Sequence, residues 1–187
     1  HQGRTVMSRS QESIKREVAA IAAMPRFKGT ISDVGGAAGN TFGSVTDPEK
    51  CKLCHRASCL YPKICPNYHC DGKATVELLR SLMKIPKVKF ISHPDADNYP
   101  MDYKVLVEGA KEFGCALELN NSSLRKPTLR PGCVENYRKM LPLCLEYGVP
   151  IIVNTDAHDP SQVGDFTLAR AMLEELGFDE ELILNND

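Results

Sequence analysis

The sequence predicts an α/β protein in which parallel β/α units form a partial or distorted TIM-like barrel. Beyond Pro86, short β-branched apolar runs alternate with segments of helical periodicity, which is typical of right-handed βαβ units in a parallel sheet. Before Pro86, a stretch rich in Gly, Pro and Cys (about 37–70) leaves no room for a long helix or strand and predicts an irregular insert. The composition therefore divides the chain into residues 1–86 and 87–187.

The elements of the first part follow from local signals. Ser8 or Ser10 is suited to cap a helix that runs to about Ala23, since SIKREVAAIAA has helical spacing. A short strand is expected within FKGTISDVGG, followed after the insert by a helix over KATVELLRSLMKI, which Pro86 ends.

The second part reads as a regular alternation. Strands are predicted at VKFIS, CALELN and PIIVNT, with a last short strand at LIL. Helices are predicted at about 101–113, 134–147 and 162–176.

Composition excludes several classes of function. A net charge of −1 provides no basic field, so we expect no nucleic-acid partner. No apolar run approaches the roughly 18 residues of a membrane span. The opening HQGRTVMSRS, without a Met start, is typical of the middle of a protein and predicts a truncated start.

The insert carries a cysteine motif. Five of the eight cysteines fall between Cys51 and Cys70, and the first four form C-x2-C-x4-C-x5-C. Four such thiolates suit a tetrahedral Zn site or an Fe–S cluster, which would supply much of the folding energy of a segment (about 44–70) with few apolar residues. A disulfide framework, or thiols in a loop, is the alternative. The clustering favours a reducing cytoplasm. The four proposed ligands are Cys51, Cys54, Cys59 and Cys65.

Polar side chains follow three successive strands of the second part. His93 follows VKFIS, Asn120 and Asn121 follow CALEL, and Asp156 and His158 follow PIIVN. The carboxyl ends of parallel strands meet at one edge, where active sites form. Two imidazoles and a carboxylate suit Zn, Mn or Fe. The alternative is that Asp156 caps the next helix and the histidines are ordinary loop residues.

Two further side chains are ambiguous. Glu118 alternates with Leu117 and Leu119, so it either lines a barrel interior near the site or faces solvent. Arg130, in the loop SSLRKPTLRPG, has a guanidinium suited to clamp a phosphate in bidentate fashion, whereas Lys126 is at least as well explained as a solvated charge.

The segments FISHPDADNYPMDYKVLVEGAKEFGCALELNNSS, RPGCVEN and YGVPIIVNTDAHDPSQVGDF occur in order over about 88–187. They resemble the C-terminal half of PHP-domain metal-dependent phosphoesterases of the YcdX-like phosphatase type. The resemblance implies a distorted (β/α)7 barrel, a multinuclear metal site and hydrolysis of a small phosphorylated substrate. It implies that His93, Asp156 and His158 are metal ligands and that Asn120, Asn121 and Arg130 line the pocket. Members of that family begin with an H-x-H strand, which this chain, with five histidines, lacks.

The segments HQGRTVMSRSQESIKREVAAIAAMPRFKGTISDVGGAAGN, CKLCHRASCLYPKICPN and ELLRSLMKIPKVK cover 1 to about 89. They resemble YgiQ-type radical SAM proteins, which implies a partial β/α barrel, a 4Fe–4S cluster and S-adenosylmethionine. The C-x3-C-x2-C of that family is absent. The resemblance places Gly35 and Gly36 on the S-adenosylmethionine side, although the usual GGPTAN reads GGAAGN here.

The two resemblances meet near IPKVKFISHP, so the chain resembles a chimera of two partial barrels. The leading hypothesis is a metal-dependent phosphoesterase, impaired by its missing ligands, in which Arg130 and the residues His93, Asp156 and His158 carry the chemistry. The alternatives are a radical SAM-derived Fe–S or Zn binding protein without hydrolase activity, and an inactive fragment whose sheet edges serve assembly. Open sheet edges would favour a homodimer.

Overall fold

The computed structural model describes residues 8–29, 31, 41–60, 63–97 and 100–185. The predicted first helix is confirmed as α1, Gln11–Ala22. Ser10 is its cap, since the Ser10 hydroxyl accepts a hydrogen bond from the Ser13 amide at 3.2 Å. Gly35 and Gly36, with most of the first predicted strand, lie outside the described residues.

The cysteine-rich insert contains only short elements in its described part. Strand β1, Val45–Thr46, pairs antiparallel with β2, Tyr68–His69. Between them lies α2, Pro48–Lys52, which the side chain of Asp47 caps. Buried Cys59 and Cys65 pack against Tyr68 in a cluster separate from the main core. The prediction that the insert has no long helix or strand is confirmed for residues 41–60 and 63–70.

The predicted parallel sheet is confirmed, with shorter strands. Strands β3, Phe90–Ile91, β4, Ala116–Asn120, and β5, Ile151–Asn154, lie side by side in sequence order. Neighbours in the sheet are thus neighbours in the sequence, as in β/α barrels and unlike doubly wound sheets.

Single parallel bridges extend the sheet on both sides. Ile31 pairs with Val88 beside β3, and Ile183 pairs with Ile151 beside β5. The last predicted strand, LIL, is therefore a single bridge. Within the described residues the sheet does not close on itself. The barrel, and a homodimer through its open edges, stay predictions.

The described residues also form α3 (Lys73–Met83), α4 (Tyr103–Phe113), α5 (Asn121–Arg125), α6 (Cys133–Tyr147) and α7 (Thr167–Leu176). The helices pack on one another in chain order, with α1 on α3, α3 on α4, and α4 on α6. The short α5 was not predicted from the sequence, and α7 begins later than expected because Val163 is extended and Gly164 has a φ of 76°. None of the described helices is both long and apolar enough to cross a membrane.

Strand β4 is buried along its whole length. Leu117 and Leu119 belong to the hydrophobic core. Glu118 and Asn120 alternate with them and therefore point to the opposite face, where their parallel partners are Ile152 and Asn154. One face of the sheet is thus apolar, and the other carries buried polar groups close to the carboxyl ends of the strands.

One glycine allows a close contact beside the sheet. Gly72, which precedes α3, has a φ of 73°. A Cβ at this position would lie 1.5 Å from the carbonyl oxygen of Pro100, in the segment that leads into α4. Only glycine therefore allows these two backbone segments to approach as they do.

Candidate functional site

Three polar side chains from successive strand ends come together, as their positions in the sequence predict. His93 follows β3, Asn120 ends β4 and Asp156 follows β5. The Asn120 side-chain amide donates to Oδ2 of Asp156 at 3.2 Å, and the same nitrogen lies 3.4 Å from Nδ1 of His93. Asn120 therefore links the other two side chains across the edge of the sheet.

Glu118 lies beneath this cluster. Its side chain is 4% exposed, so the alternative in which it faces solvent is wrong. Oε2 accepts from the backbone amide of His93 at 2.7 Å, and Oε1 accepts from the side-chain amide of Asn154 at 2.8 Å. Hydrogen bonds to a buried carboxylate are strong, so Glu118 fixes the backbone where His93 leaves the sheet.

The backbone is unusual at two of the site residues. His93 has a φ of 54° and Asp156 a φ of 45°, in the left-handed region that residues other than glycine seldom adopt. Such conformations cost of order 1–3 kcal/mol each and concentrate at functional sites. At both strand ends the chain therefore turns sharply into the site.

Arg130 enters the site from the loop before α6. Its guanidinium contacts Nδ1 of His93, and its Nη1 lies 3.7 Å from Oδ1 of Asp95. The Arg130 side chain is only 18% exposed, whereas Lys126 is exposed, as expected for a solvated loop charge. One cation thus lies within a group of carboxylate, amide and imidazole side chains.

Two of the predicted site residues lie outside the group of side chains that Asn120 links. The side chain of His158 is 71% exposed, and its Nδ1 lies 2.8 Å from the carbonyl oxygen of Asp156 and 4.0 Å from Oδ1 of the same residue. Asn121 is buried, and its side-chain oxygen accepts from the Ala169 amide in α7 at 2.8 Å. As placed, Asn121 joins α5 to α7.

The donor set of this edge suits a transition metal, but its arrangement does not fit one. Among the described residues, no group of three or more His, Cys, Asp and Glu side chains is placed to hold a metal ion. The His158 side chain is largely exposed, with its Nδ1 4.0 Å from Oδ1 of Asp156, and the guanidinium of Arg130 lies against Nδ1 of His93. Metal binding by His93, Asp156 and His158 therefore stays a prediction.

The four cysteines proposed as ligands in the insert differ in their exposure to solvent. Cys59 and Cys65 are buried and joined by a backbone hydrogen bond of 2.7 Å, whereas Cys51 and Cys54 are half-buried. The described part of the chain contains no disulfide. Metal-site geometry is absent here too, within the same described residues, so the Zn or Fe–S site stays a prediction.

Buried groups behind the site affect its electrostatics. The hydroxyl of Tyr137 accepts from the backbone amide of Asn120 at 3.0 Å. Burial, followed by the negative charges of Asp95 and Glu118, raises the pKa of Tyr137 well above its ordinary value. The pKa of the nearby Cys133 thiol rises to about 11, chiefly through burial and then through Asp95. Both groups stay protonated at neutral pH.

Sequence reasoning missed Asp95, Tyr137 and Asn154. A signal existed for Asn154, because it ends its strand as Asn120 does and shares the face of Glu118. Asp95 directly follows the His93-Pro94 pair, but nothing in the sequence indicates that it is fully buried. Tyr137 lies in a helix of ordinary periodicity, so its contact with β4 could not be read from the sequence.

The chain has relatives of two kinds among known proteins. A protein named UPF0313 protein from Fusobacterium nucleatum is 48% identical over 103 residues, which are 54% of this chain and 18% of that protein. Proteins named probable phosphatase from Clostridium botulinum and Clostridium novyi are 38% and 36% identical over 111 and 122 residues. These matches cover 59% and 63% of this chain and 44% and 49% of the two phosphatases. No family model matches.

The chain therefore spans less than half the length of these phosphatases and less than a fifth of the UPF0313 protein. Relatives with two different names are consistent with the two resemblances read from the sequence.

Proposed function

We propose that the chain is a phosphoesterase-type hydrolase, or part of one, that acts on a small phosphate ester. The observation that carries the proposal is the cluster at the edge of the sheet, where His93, Asn120 and Asp156 meet the guanidinium of Arg130. The relatives named probable phosphatase support the same class of reaction.

The chain's own side chains supply complementary roles in this proposal. The planar guanidinium of Arg130 binds two phosphate oxygens, and the amide of Asn120 donates to a third. Asp156, which is partly open to solvent, takes a proton from an incoming water as its oxygen bonds to phosphorus. The ester P–O bond breaks, and the leaving oxygen takes a proton from solvent water, while Nδ1 of His93 accepts from the guanidinium of Arg130 and helps to hold it at the site. The products are an alcohol and inorganic phosphate.

The test is hydrolysis of p-nitrophenyl phosphate by the full chain. We expect activity in the wild type and a loss of about 100-fold or more in both Arg130→Ala and Asp156→Asn, because each removes a group from the transition state. Glu112→Gln, in an ion pair between α3 and α4, is the matched control and should retain activity. Activity that survives both site variants contradicts the proposal.

A metal-dependent version of the proposal is tested separately. It uses His93, Asp156 and His158 as ligands, and Nδ1 of the exposed His158 already lies 4.0 Å from Oδ1 of Asp156. In that version, His158→Ala removes both a chain-bound metal and the hydrolysis. Without a metal at this edge, His158→Ala retains most of the activity.

The second candidate is an Fe–S or Zn binding protein without hydrolase activity. The observation that favours it is the separate buried cluster of Cys59 and Cys65 with Tyr68. Similarity to the UPF0313 protein is consistent with a function other than phosphate-ester hydrolysis. Visible absorbance after anaerobic purification would indicate a cluster, and a colourless chain with stoichiometric zinc would indicate the zinc form.

A further inference from the structure

The carboxylate of Asp95 is fully buried and unusually poor in hydrogen bonds. Its side chain is 0% exposed, and neither oxygen has a hydrogen-bond partner in the described part of the chain. A buried carboxylate in this state is costly, and the compensating charge within reach is the guanidinium of Arg130, at 3.7 Å.

The segment that carries Asp95 is firmly held. The carbonyl oxygen of Asp95 accepts from the side-chain amide of Asn136 in α6 at 3.0 Å. The preceding carbonyl, of Pro94, accepts from the hydroxyl of Tyr103 in α4 at 2.7 Å. The Asp95 carboxylate therefore has a fixed position relative to the helices on either side of it.

The loop that carries Arg130 is tied to the same segment. The backbone amide of Asp97 donates to the carbonyl oxygen of Pro131, next to Arg130, at 2.8 Å. The side-chain amide of Asn136 also donates to Asp97 at 2.8 Å. Hydrogen bonds thus join the segment that carries Asp95 to the backbone next to Arg130.

We propose that Asp95 is a positioning residue that orients the guanidinium of Arg130 towards His93 for binding a phosphate group. One edge of the guanidinium, through Nη1, faces the buried carboxylate, and Nη2 contacts the imidazole of His93 at the edge of the sheet. Asp95 acts only through Arg130, because it is fully buried. The inference rests on the proposed function, since it assumes that Arg130 binds phosphate.

The alternative is that Asp95 has only a structural role, as a counter-charge in the interior. That role would make Asp95→Asn less stable but would leave phosphate binding by the folded chain unchanged. The two roles therefore predict different phosphate affinities for Asp95→Asn. Only the positioning role predicts that the loss of affinity depends on Arg130.

The test is calorimetric titration of the full chain with inorganic phosphate, using Asp95→Asn, Arg130→Gln and the double variant. We expect Asp95→Asn to weaken phosphate binding on the order of tenfold or more, because a misaligned binding group loses much of its effect. In the Arg130→Gln background, Asp95→Asn should not weaken phosphate binding any further, because the effects of substitutions at two contacting residues are not additive. Glu112→Gln is the control for loss of an ion pair elsewhere.

Each outcome decides one question. A wild-type chain that binds no phosphate overturns the proposed function and, with it, this inference. Phosphate binding that is unchanged in Asp95→Asn, or weakened equally in both backgrounds, overturns the inference alone. If Asp95→Asn fails to fold, Arg130→Lys replaces it, since a lysine has no fork to reach both Asp95 and the ligand. Wild-type affinity in Arg130→Lys would then overturn the inference.

Discussion

Replacement of Glu118 tests how the site is held together. In the native chain, the carboxylate of Glu118 accepts from the His93 backbone amide at 2.7 Å and from the Asn154 side-chain amide at 2.8 Å. Glu118→Ala removes the acceptor of both groups. A buried donor without an acceptor costs about 1–3 kcal/mol. Since His93 and Asn154 are only half-buried, water satisfies part of this loss, and we expect a total of about 2–3 kcal/mol.

Glu118→Gln is the matched comparison because it keeps the shape of the side chain. Its single oxygen accepts from His93, and the Asn154 amide turns to present its own oxygen to the new nitrogen. We expect a loss of about 1 kcal/mol, as a charged acceptor is replaced by a neutral one. Urea unfolding of the wild type and both variants measures these differences. A loss below about 0.5 kcal/mol in Glu118→Ala would refute the reasoning, because it would mean that the carboxylate does not hold the turn at His93.

Three further predictions address other parts of the chain. Gly72→Ala should lower the free energy of unfolding by about 3 kcal/mol or more, because the new methyl group meets the carbonyl of Pro100. Gly114 also has a positive φ but has open space around it, so Gly114→Ala should lower the free energy of unfolding by only about 1 kcal/mol in the same urea assay. Burial raises the pKa of Cys144 to about 12, so the folded state retains a proton that the unfolded chain releases earlier. This thiol should therefore lower the free energy of unfolding by up to about 1.4 kcal/mol for each pH unit above about pH 9. Urea unfolding at several pH values above about 9 should show a weaker dependence on pH in Cys144→Ala than in the wild type. If the insert holds zinc or an iron–sulfur cluster, elemental analysis should show a metal that Cys59→Ser loses and Cys144→Ala retains, and an equal metal content in all three chains would argue against it.

Much of the architecture could be read from the sequence because its signals are local. Helices such as α1 and α4 show helical apolar spacing with a capping residue, Ser10 or Asp102, before their first turn. The three strands of the described sheet, β3 to β5, were located correctly but predicted too long, because the sequence pattern does not show where the ladder of hydrogen bonds stops. Helix α5 was missed because its five residues are too few to show a period, although the Asn120 side chain caps it through the Ser123 amide at 3.0 Å.

The site was only partly readable, for a different physical reason. The meeting of His93, Asn120 and Asp156 follows from parallel strand order, so the sequence was enough to predict it. The exposure of His158 depends on the path of the loop after β5, and the burial of Asp95 depends on α6. Contacts of this kind are set by tertiary packing and leave no periodic trace in the chain.

The order of the strands has a consequence for how the chain assembles. Because β3, β4 and β5 are adjacent both in the sheet and in the sequence, each strand needs only the preceding unit in order to dock. Loop closure between neighbours costs less entropy than pairing across the whole chain, and this favours rapid, stepwise folding. During synthesis on the ribosome, each β/α unit can settle onto the one before it as it emerges. Of the clustered residues, Asp156 is synthesised last, so the cluster at the carboxyl ends of the strands can be complete only after that segment has emerged.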